Sequence, residues 1–115
     1  MTATDHNTAE RWSRLEAMLT ERFGKTPDME AILFLIGINE YRGRIPSIKF
    51  SKEQKQDLMH VAVCSLLSQS GFYELQGYDE EGWPHYQETD TVKTSSMAEQ
   101  ETLLKEHILS YFEIS

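Results

Sequence analysis

The fold of this chain is decided by residues 51–88, which read SKEQKQDLMHVAVCSLLSQSGFYELQGYDEEGWPHYQE. Apolar residues in its first half recur at helical spacing, and Ser51 with Gln54 before them has the pattern of a capping box. A glycine ends that pattern, and the aromatic-rich residues 72–76 that follow are typical of a β-strand. Residues 79–82, Asp-Glu-Glu-Gly, have the chemistry of a turn. The stretch therefore predicts a long helix that leads into a β-hairpin.

Outside this stretch, three more segments have the apolar periodicity of helices. They are Thr8 to Phe23, with Thr8 as the expected N-cap, Met29 to Tyr41, and Ser96 to Phe112. The second is apolar on all sides in its middle, so we expect it to be buried. Gly37 inside it costs about 1 kcal/mol relative to alanine, which predicts that another element approaches closely there. The predicted fold class is α+β, mostly helical, with four helices and one β-hairpin at about residues 72–88, between helices three and four.

The length and composition of the chain predict a single domain and a cytoplasmic location. A chain of 115 residues fits a single domain, expected over residues 8–115, and the small polar residues 1–7 are expected to form a flexible N-terminus. An extended connector is expected from Arg44 to Phe50, which contains a proline. No run of about 18 apolar residues occurs, which predicts no membrane span. Cys64 is the only cysteine and cannot form an internal disulfide, so we expect a cytoplasmic protein.

Charge is unevenly distributed along the chain. The net charge is −8, from 19 acidic and 11 basic residues, which opposes non-specific attraction to nucleic acid or anionic lipid. Five of the basic residues form a basic segment over residues 42–55: Arg42, Arg44, Lys49, Lys52 and Lys55. Asp79, Glu80 and Glu81 are clustered at the predicted turn. Solvated surface explains both groups, and the alternative is that they dock a charged protein partner.

Aromatic residues are concentrated in the predicted hairpin. Tyr78, Trp83 and Tyr86 are candidate partner-binding residues, because Trp and Tyr dominate binding hot spots. The alternative is that these rings fix the hairpin to the helices, since a lone hairpin is marginally stable in water. If they face outward, we expect them to bind a protein partner together with the basic segment. That partner could be a second copy of the chain, with opposite charges on the hairpin and the basic segment setting the orientation.

Helix three carries a candidate metal site. Asp57, His60 and Cys64 are spaced i, i+3 and i+7, which places them along one face, and His85 on the hairpin could be a fourth ligand. These side chains can bind a transition metal such as zinc or iron. The alternative is that Cys64 is a small buried hydrophobe and that no cofactor binds. A Cys64 nucleophile with His60 or His85 as base is also chemically possible, and Asp57 could orient His60 in an Asp57–His60–Cys64 row. Nothing marks an oxyanion hole, so we assign no catalytic residue.

Two resemblances add to this interpretation. The segments LFLIGINE (33–40), KQDLMHVAVC (55–64) and YDEEGWPHY (78–86) resemble those of a family of small uncharacterised bacterial cytosolic proteins. That resemblance implies a bacterial cytosolic protein and brings no catalytic residues. The pattern Leu67-x-x-x-Gly71-Phe72-Tyr73 before the turn resembles the recognition helix and wing of winged helix-turn-helix domains. It implies that helix three enters the major groove of DNA and that the hairpin contacts the phosphate backbone.

Three hypotheses of function follow from the sequence. The leading one is a non-enzymatic cytosolic protein-interaction domain that uses the hairpin aromatics and the basic segment. The first alternative is a transition-metal-binding protein centred on helix three. The second alternative is a winged-helix-like DNA-binding regulator, which the acidic turn and the net negative charge oppose.

Overall fold

The computed structural model describes residues 3–44, 49–90 and 96–114, with residues 3–7 as backbone only. Within these ranges the elements are α1 (Ala3–Phe23), α2 (Met29–Glu40), α3 (Lys52–Ser68), β1 (Tyr73–Tyr78), β2 (Pro84–Glu88) and α4 (Met97–Tyr111). The predicted fold class is therefore confirmed: a mostly helical α+β chain whose β-hairpin lies between the third and fourth helices. Residues 45–48 of the predicted connector, and residues 1–2, lie outside the described residues.

The first helix begins earlier than its sequence pattern predicted. It starts at Ala3, so Thr8 is not its N-cap but a buried residue within it. The Thr8 hydroxyl donates to the carboxylate of Glu106 on α4, and this tertiary partner explains a threonine that the sequence alone assigns to a helix start. Residues 3–7 are helical in backbone, while the flexibility expected of residues 1–7 stays a prediction.

The chain divides into two compact units, the first being Met1–Asp28 with Lys93–Ser115 and the second Met29–Val92. The single domain expected over residues 8–115 stays a prediction. In the first unit α1 packs against α4. Arg11 on α1 donates to Glu106 on α4 over 3.1 Å. Leu15 and Leu19 are buried, whereas Met18 is 38% and Phe23 50% exposed, so only part of the predicted apolar face of α1 is buried.

The second unit is centred on the contact between α2 and α3. Ile32 and Ile36 of α2 and Leu58 of α3 are fully buried. The two backbones meet at Gly37, where an added Cβ atom would lie 2.1 Å from the carbonyl oxygen of Leu58. The close approach predicted from a glycine in an apolar helix is therefore confirmed. Any side chain at this position would push the two helices apart.

The start of α3 follows the capping pattern read from the sequence. The Ser51 hydroxyl accepts a hydrogen bond from the Gln54 N–H over 3.1 Å, and the Gln54 side-chain oxygen accepts one from the Ser51 N–H over 2.9 Å. This reciprocal pair satisfies two N–H groups that an uncapped helix would leave without partners. Ser96 likewise caps α4, since its hydroxyl accepts from the Glu99 N–H. No helix among the described residues is long and apolar enough to cross a membrane.

The hairpin packs on α3, as its own marginal stability requires, and Tyr86 of β2 forms a hydrogen bond with Ser65 of that helix. Its strands are antiparallel, with Tyr73 opposite Glu88 and Leu75 opposite Tyr86, and the register shifts between Leu75 and Gly77. Residues directly opposite each other point to the same face, so Leu75 and Tyr86 share one face with Tyr73. That alternation turns His85, which precedes Tyr86, to the other face.

Candidate functional site

An open cleft of about 710 Å³ lies in the second unit, where the chain leaves α2 and passes the hairpin turn. Its walls come from two segments, residues 41–44 after α2 and residues 78–83 around the turn, with Gln54 of α3 beside them. The lining residues are Tyr41, Arg42, Gly43, Arg44, Gln54, Tyr78, Asp79, Glu80, Glu81, Gly82 and Trp83. Its polar, aromatic and charged lining makes this cleft the candidate functional site.

Two glycines in backbone contact fix the walls of the cleft to each other. The Arg42 N–H donates to the carbonyl oxygen of Gly82 over 2.9 Å. A Cβ atom on Gly82 would lie 2.1 Å from the backbone nitrogen of Gly43, and one on Gly43 would lie 2.0 Å from the carbonyl oxygen of Glu81. Gly82 also has a φ of +93°, which side chains disfavour. Only glycine at both positions allows the two segments to meet in this way.

Asp79 holds the hairpin turn in a defined conformation. One carboxylate oxygen accepts the N–H groups of Glu81 and Trp83 over 2.9 and 3.0 Å, and the other accepts from His85 Nε2 over 2.9 Å. The hydrogen bond from His85, and after it the one from the Trp83 N–H, holds the pKa of Asp79 below its ordinary value of 3.8. The turn is thus built around an ionised carboxylate, and His85 serves it as a partner.

Four aromatic rings in successive contact connect the cleft with the core of the second unit. The Trp83 and Tyr41 rings have centroids 4.7 Å apart at a tilt of 44°. Tyr41 contacts Phe50 edge-on at 6.2 Å, and Phe50 contacts Phe34 of α2 edge-on at 5.8 Å. Phe50 is buried and Trp83 is half-buried, so the row leads from the core to the cleft. Trp83 therefore both supports the hairpin and presents part of its ring to the cleft.

The cleft carries charged side chains of both signs that are not paired with each other. The Arg42 guanidinium lies 4.2 Å from the centre of the Tyr78 ring, which is a close cation–π contact. The exposed side chains of Arg44, Glu80 and Glu81 make no ion pair or hydrogen bond with any described residue. One wall thus offers positive charge and the other negative charge.

The structure divides the partner-binding residues predicted from the sequence into two groups. Arg42, Arg44, Tyr78 and Trp83 line the cleft. The remainder of that set, Lys49, Lys52, Lys55 and Tyr86, does not line it. The three lysines are exposed, and Tyr86 is half-buried on the hairpin face toward α3. Burial raises the pKa of the Tyr86 hydroxyl, while a hydrogen bond with Ser65 of α3 acts in the opposite direction.

Sequence reasoning missed four residues that line the cleft. Tyr41 and Gln54 were assigned to a helix end and a cap, and both line the cleft. Gly82 was assigned to the turn and Gly43 was given no role, yet a Cβ atom on Gly82 would lie against Gly43 and one on Gly43 would lie against Glu81. Two glycines that flank charged turn residues were a signal available in the sequence. Nothing in it said that the two would meet.

The predicted metal ligands are only partly brought together. His60 Nε2 lies 3.6 Å from the Cys64 Sγ on the same face of α3. Asp57 is exposed and makes no hydrogen bond to His60 in the part of the chain that the structure describes. His85 is bound to Asp79 at the turn. Within the described ranges no group of three or more His, Cys, Asp or Glu side chains is placed to hold a metal, and the zinc or iron site stays a prediction.

The environment of Cys64 favours the protonated thiol. Burial, and after it the negative charge of Glu88, raises the pKa of Cys64. Metal ligation and nucleophilic attack both require the thiolate. Among the described residues, Asp57 therefore makes no hydrogen bond that would orient His60, and the raised pKa of Cys64 disfavours the thiolate.

A smaller cleft of about 400 Å³ lies in the first unit, between α1 and α4. Its lining includes Trp12 and Lys105. The Lys105 ammonium lies 5.2 Å from the centre of the Trp12 ring and 3.6 Å from the carboxylate of Glu101. Because its cation already has partners on the same unit, this cleft offers less to a ligand than the cleft at the hairpin turn.

Comparisons of the chain with protein-family models, curated proteins and solved structures find no match. The resemblances to small bacterial cytosolic proteins and to winged helix-turn-helix domains stay predictions. The assignment of a function therefore depends on the chemistry of the cleft.

Proposed function

We propose that this chain is a non-enzymatic protein-interaction domain and that the cleft at the hairpin turn is its contact surface. The observation that carries the proposal is a set of charged side chains on its walls that make no ion pair or hydrogen bond with any described residue. Arg44 lies on one side, and Glu80 and Glu81 lie on the other. Charges without a partner among the described residues are available to a partner outside the chain. A cytoplasmic location, consistent with the free Cys64 thiol, is part of the same proposal.

The aromatic residues supply the affinity that charges alone would lack. An exposed ion pair contributes about 0–1 kcal/mol, so Arg44 and its opposing carboxylates would set orientation and association rate. Half-buried Trp83, Tyr78 and Tyr41 offer rigid apolar surface that a partner can cover. Such residues are frequent among binding hot spots because they lose little conformational entropy when buried.

Placement of charge favours a protein over nucleic acid as the partner. In a DNA-bound winged helix the hairpin turn lies against phosphates. Here that turn carries the exposed carboxylates of Glu80 and Glu81, which would repel the phosphates. A protein surface offers both signs of charge, as the cleft does.

Selection from a library of random peptides displayed on phage, with the immobilised chain as bait, tests the proposal. Peptides enriched on the wild-type chain are then measured against Arg44→Glu and against Lys55→Glu. The second variant is a matched control, because it reverses a charge in the basic segment outside the cleft. Both residues are exposed, so neither change should alter the fold.

We expect enriched peptides to lose at least about tenfold in affinity for Arg44→Glu, as for the loss of a charged contact, and to bind Lys55→Glu normally. The proposal is overturned if no peptide is enriched. It is equally overturned if enriched peptides bind the Arg44 variant as well as the wild type.

A further inference from the structure

We infer that the partner in the cleft is a second copy of this chain, held in a two-fold pair in which Arg44 of each copy contacts Glu80 and Glu81 of the other. The inference rests on the proposed function, since it names the occupant of the same cleft. It depends on how charge is arranged there, and a cleft of uniform charge would not support it.

Adjacent walls of opposite charge make this surface complementary to itself. Residues 41–44 carry the two arginines and residues 78–83 carry the three acids, and both segments line one cleft. A two-fold axis through such a cleft places the positive wall of one copy against the negative wall of the other, twice. A partner with an unrelated surface would need to supply this same pattern of charges, whereas a second copy already has it.

A backbone frame fixes the positions of the charges that line the cleft. The backbone contact between Gly43 and Gly82 fixes the walls, and Asp79 holds the turn that carries the acids. With this frame Arg44 makes no ion pair with Glu80 or Glu81, although all three line the same cleft. Pre-organised charges lose little freedom on association, so they favour one orientation of the pair.

The size of the surface predicts a weak and reversible dimer. Eleven residues line the cleft, compared with about 20–30 on each side of a stable interface. The net charge of −8 on each copy adds long-range repulsion. We therefore expect monomer and dimer to exchange, with a dimer fraction that rises with concentration.

Charge reversal on the two walls tests the pairing by sedimentation equilibrium. One variant is Arg44→Glu, the other carries Glu80→Arg and Glu81→Arg together, and each is measured alone and in an equimolar mixture. Lys55→Glu is the matched control outside the cleft. Thermal unfolding of every variant confirms that the chain is folded, which the exposure of these side chains leads us to expect.

We expect the wild type and Lys55→Glu to dimerise with the same dissociation constant. Each cleft variant alone should dimerise at least about tenfold more weakly, because like charges then face each other twice. The mixture should recover the wild-type constant, since both contacts of the mixed pair again join opposite charges. Recovery in the mixture cannot come from damage to the fold.

Three results overturn the pairing: a wild-type chain that stays monomeric, cleft variants that dimerise as well as the wild type, or a mixture without recovery. The peptide selection separates this failure from failure of the proposed function. If selected peptides still require Arg44 while the chain is monomeric, the cleft binds a different protein. If they do not require Arg44, the proposed function fails as well.

Discussion

Two close backbone approaches in the second unit differ in what they accomplish. At Gly37 the backbone of α2 lies against Leu58 of α3 amid fully buried Ile32 and Ile36. At Gly82 the hairpin turn lies against Gly43 at the edge of an open cleft with charged walls. The first contact allows a core to form, and the second fixes the positions of exposed charges. The same amino acid therefore supports stability in one region and the candidate site in the other.

Breaking the buried contact between Gly37 and Leu58 should lower the free energy of unfolding more than any other change considered below. Gly37→Val places atoms where the Leu58 carbonyl lies, so α2 and α3 must separate. We expect a loss of more than about 3 kcal/mol in the free energy of unfolding, beyond the usual cost of overpacking. Urea unfolding followed by circular dichroism measures it.

The matched control for this change is Gly24→Ala, since nothing lies within 4 Å of a Cβ atom at Gly24. This variant should lose about 1–2 kcal/mol in the free energy of unfolding, because a side chain strains the left-handed backbone at that position. Equal losses in the two variants would contradict a steric role for Gly37.

Breaking the contact at the cleft should cost less and should leave the helices folded. Gly82→Ala places its Cβ atom on the backbone of Gly43, at a φ that already disfavours a side chain. We expect a loss of about 2–3 kcal/mol and displacement of the hairpin turn. Gly71→Ala shares the positive φ without any neighbour within 4 Å, so it should lose only about 1–2 kcal/mol. If the two variants lose the same amount, the Gly43–Gly82 contact does not stabilise the chain.

Removing the Trp83 ring, which connects the cleft with the core, should lower the stability of the chain by less than the change at Gly82. Trp83→Ala deletes a half-buried ring in contact with Tyr41 and should lower the free energy of unfolding by about 1–2 kcal/mol. Trp83→Phe, which keeps an aromatic contact, should recover more than half of that loss in the same urea experiment. A complete loss of helical circular dichroism in Trp83→Ala would mean that the ring belongs to the core.

Acid should weaken the turn slightly by protonating Asp79. The folded-state pKa of Asp79 lies below its unfolded value, so the hydrogen bond with His85 stabilises the hairpin when the pH is above about 3.8. That contribution disappears as the pH falls through the folded-state pKa. Asp79→Asn keeps an oxygen that can accept the two backbone N–H groups but lacks the charge.

In a pH series downward from about pH 6, the melting temperatures of the wild type and of Asp79→Asn should therefore differ above about pH 3.8. They should converge as the pH falls through the folded-state pKa of Asp79. The two curves are compared over that range. A difference that stays constant with pH would show that the charge of Asp79 does not stabilise the folded state.

Local patterns were enough to predict much of this fold. The Ser51–Gln54 capping box, the hairpin and the close approach at Gly37 each depend on residues near one another in sequence, or on a glycine in an apolar helix. The predicted start of α1 at Thr8 was wrong. Thr8 lies inside the helix, and its hydroxyl donates to Glu106, a residue far away in the sequence that no local pattern could indicate.

The candidate site could be predicted only in part, because tertiary contacts create it. Arg42, Arg44, Tyr78 and Trp83 were selected from composition and line the cleft. Strand alternation places His85 on the face opposite Tyr86, where His85 is bound to Asp79, and its assignment to a metal site stays a prediction. No local pattern indicated that the end of α2 and the hairpin turn would meet.

The most direct test of the cleft as a contact surface is the backbone amide NMR spectrum of the isotopically labelled chain over a dilution series. We predict that the concentration-dependent shifts are concentrated in residues 41–44 and 78–83. Shifts centred instead on the exposed Met18 and Phe23 of α1 would contradict the cleft as the contact surface. A spectrum that does not change with concentration would contradict the pairing of two copies.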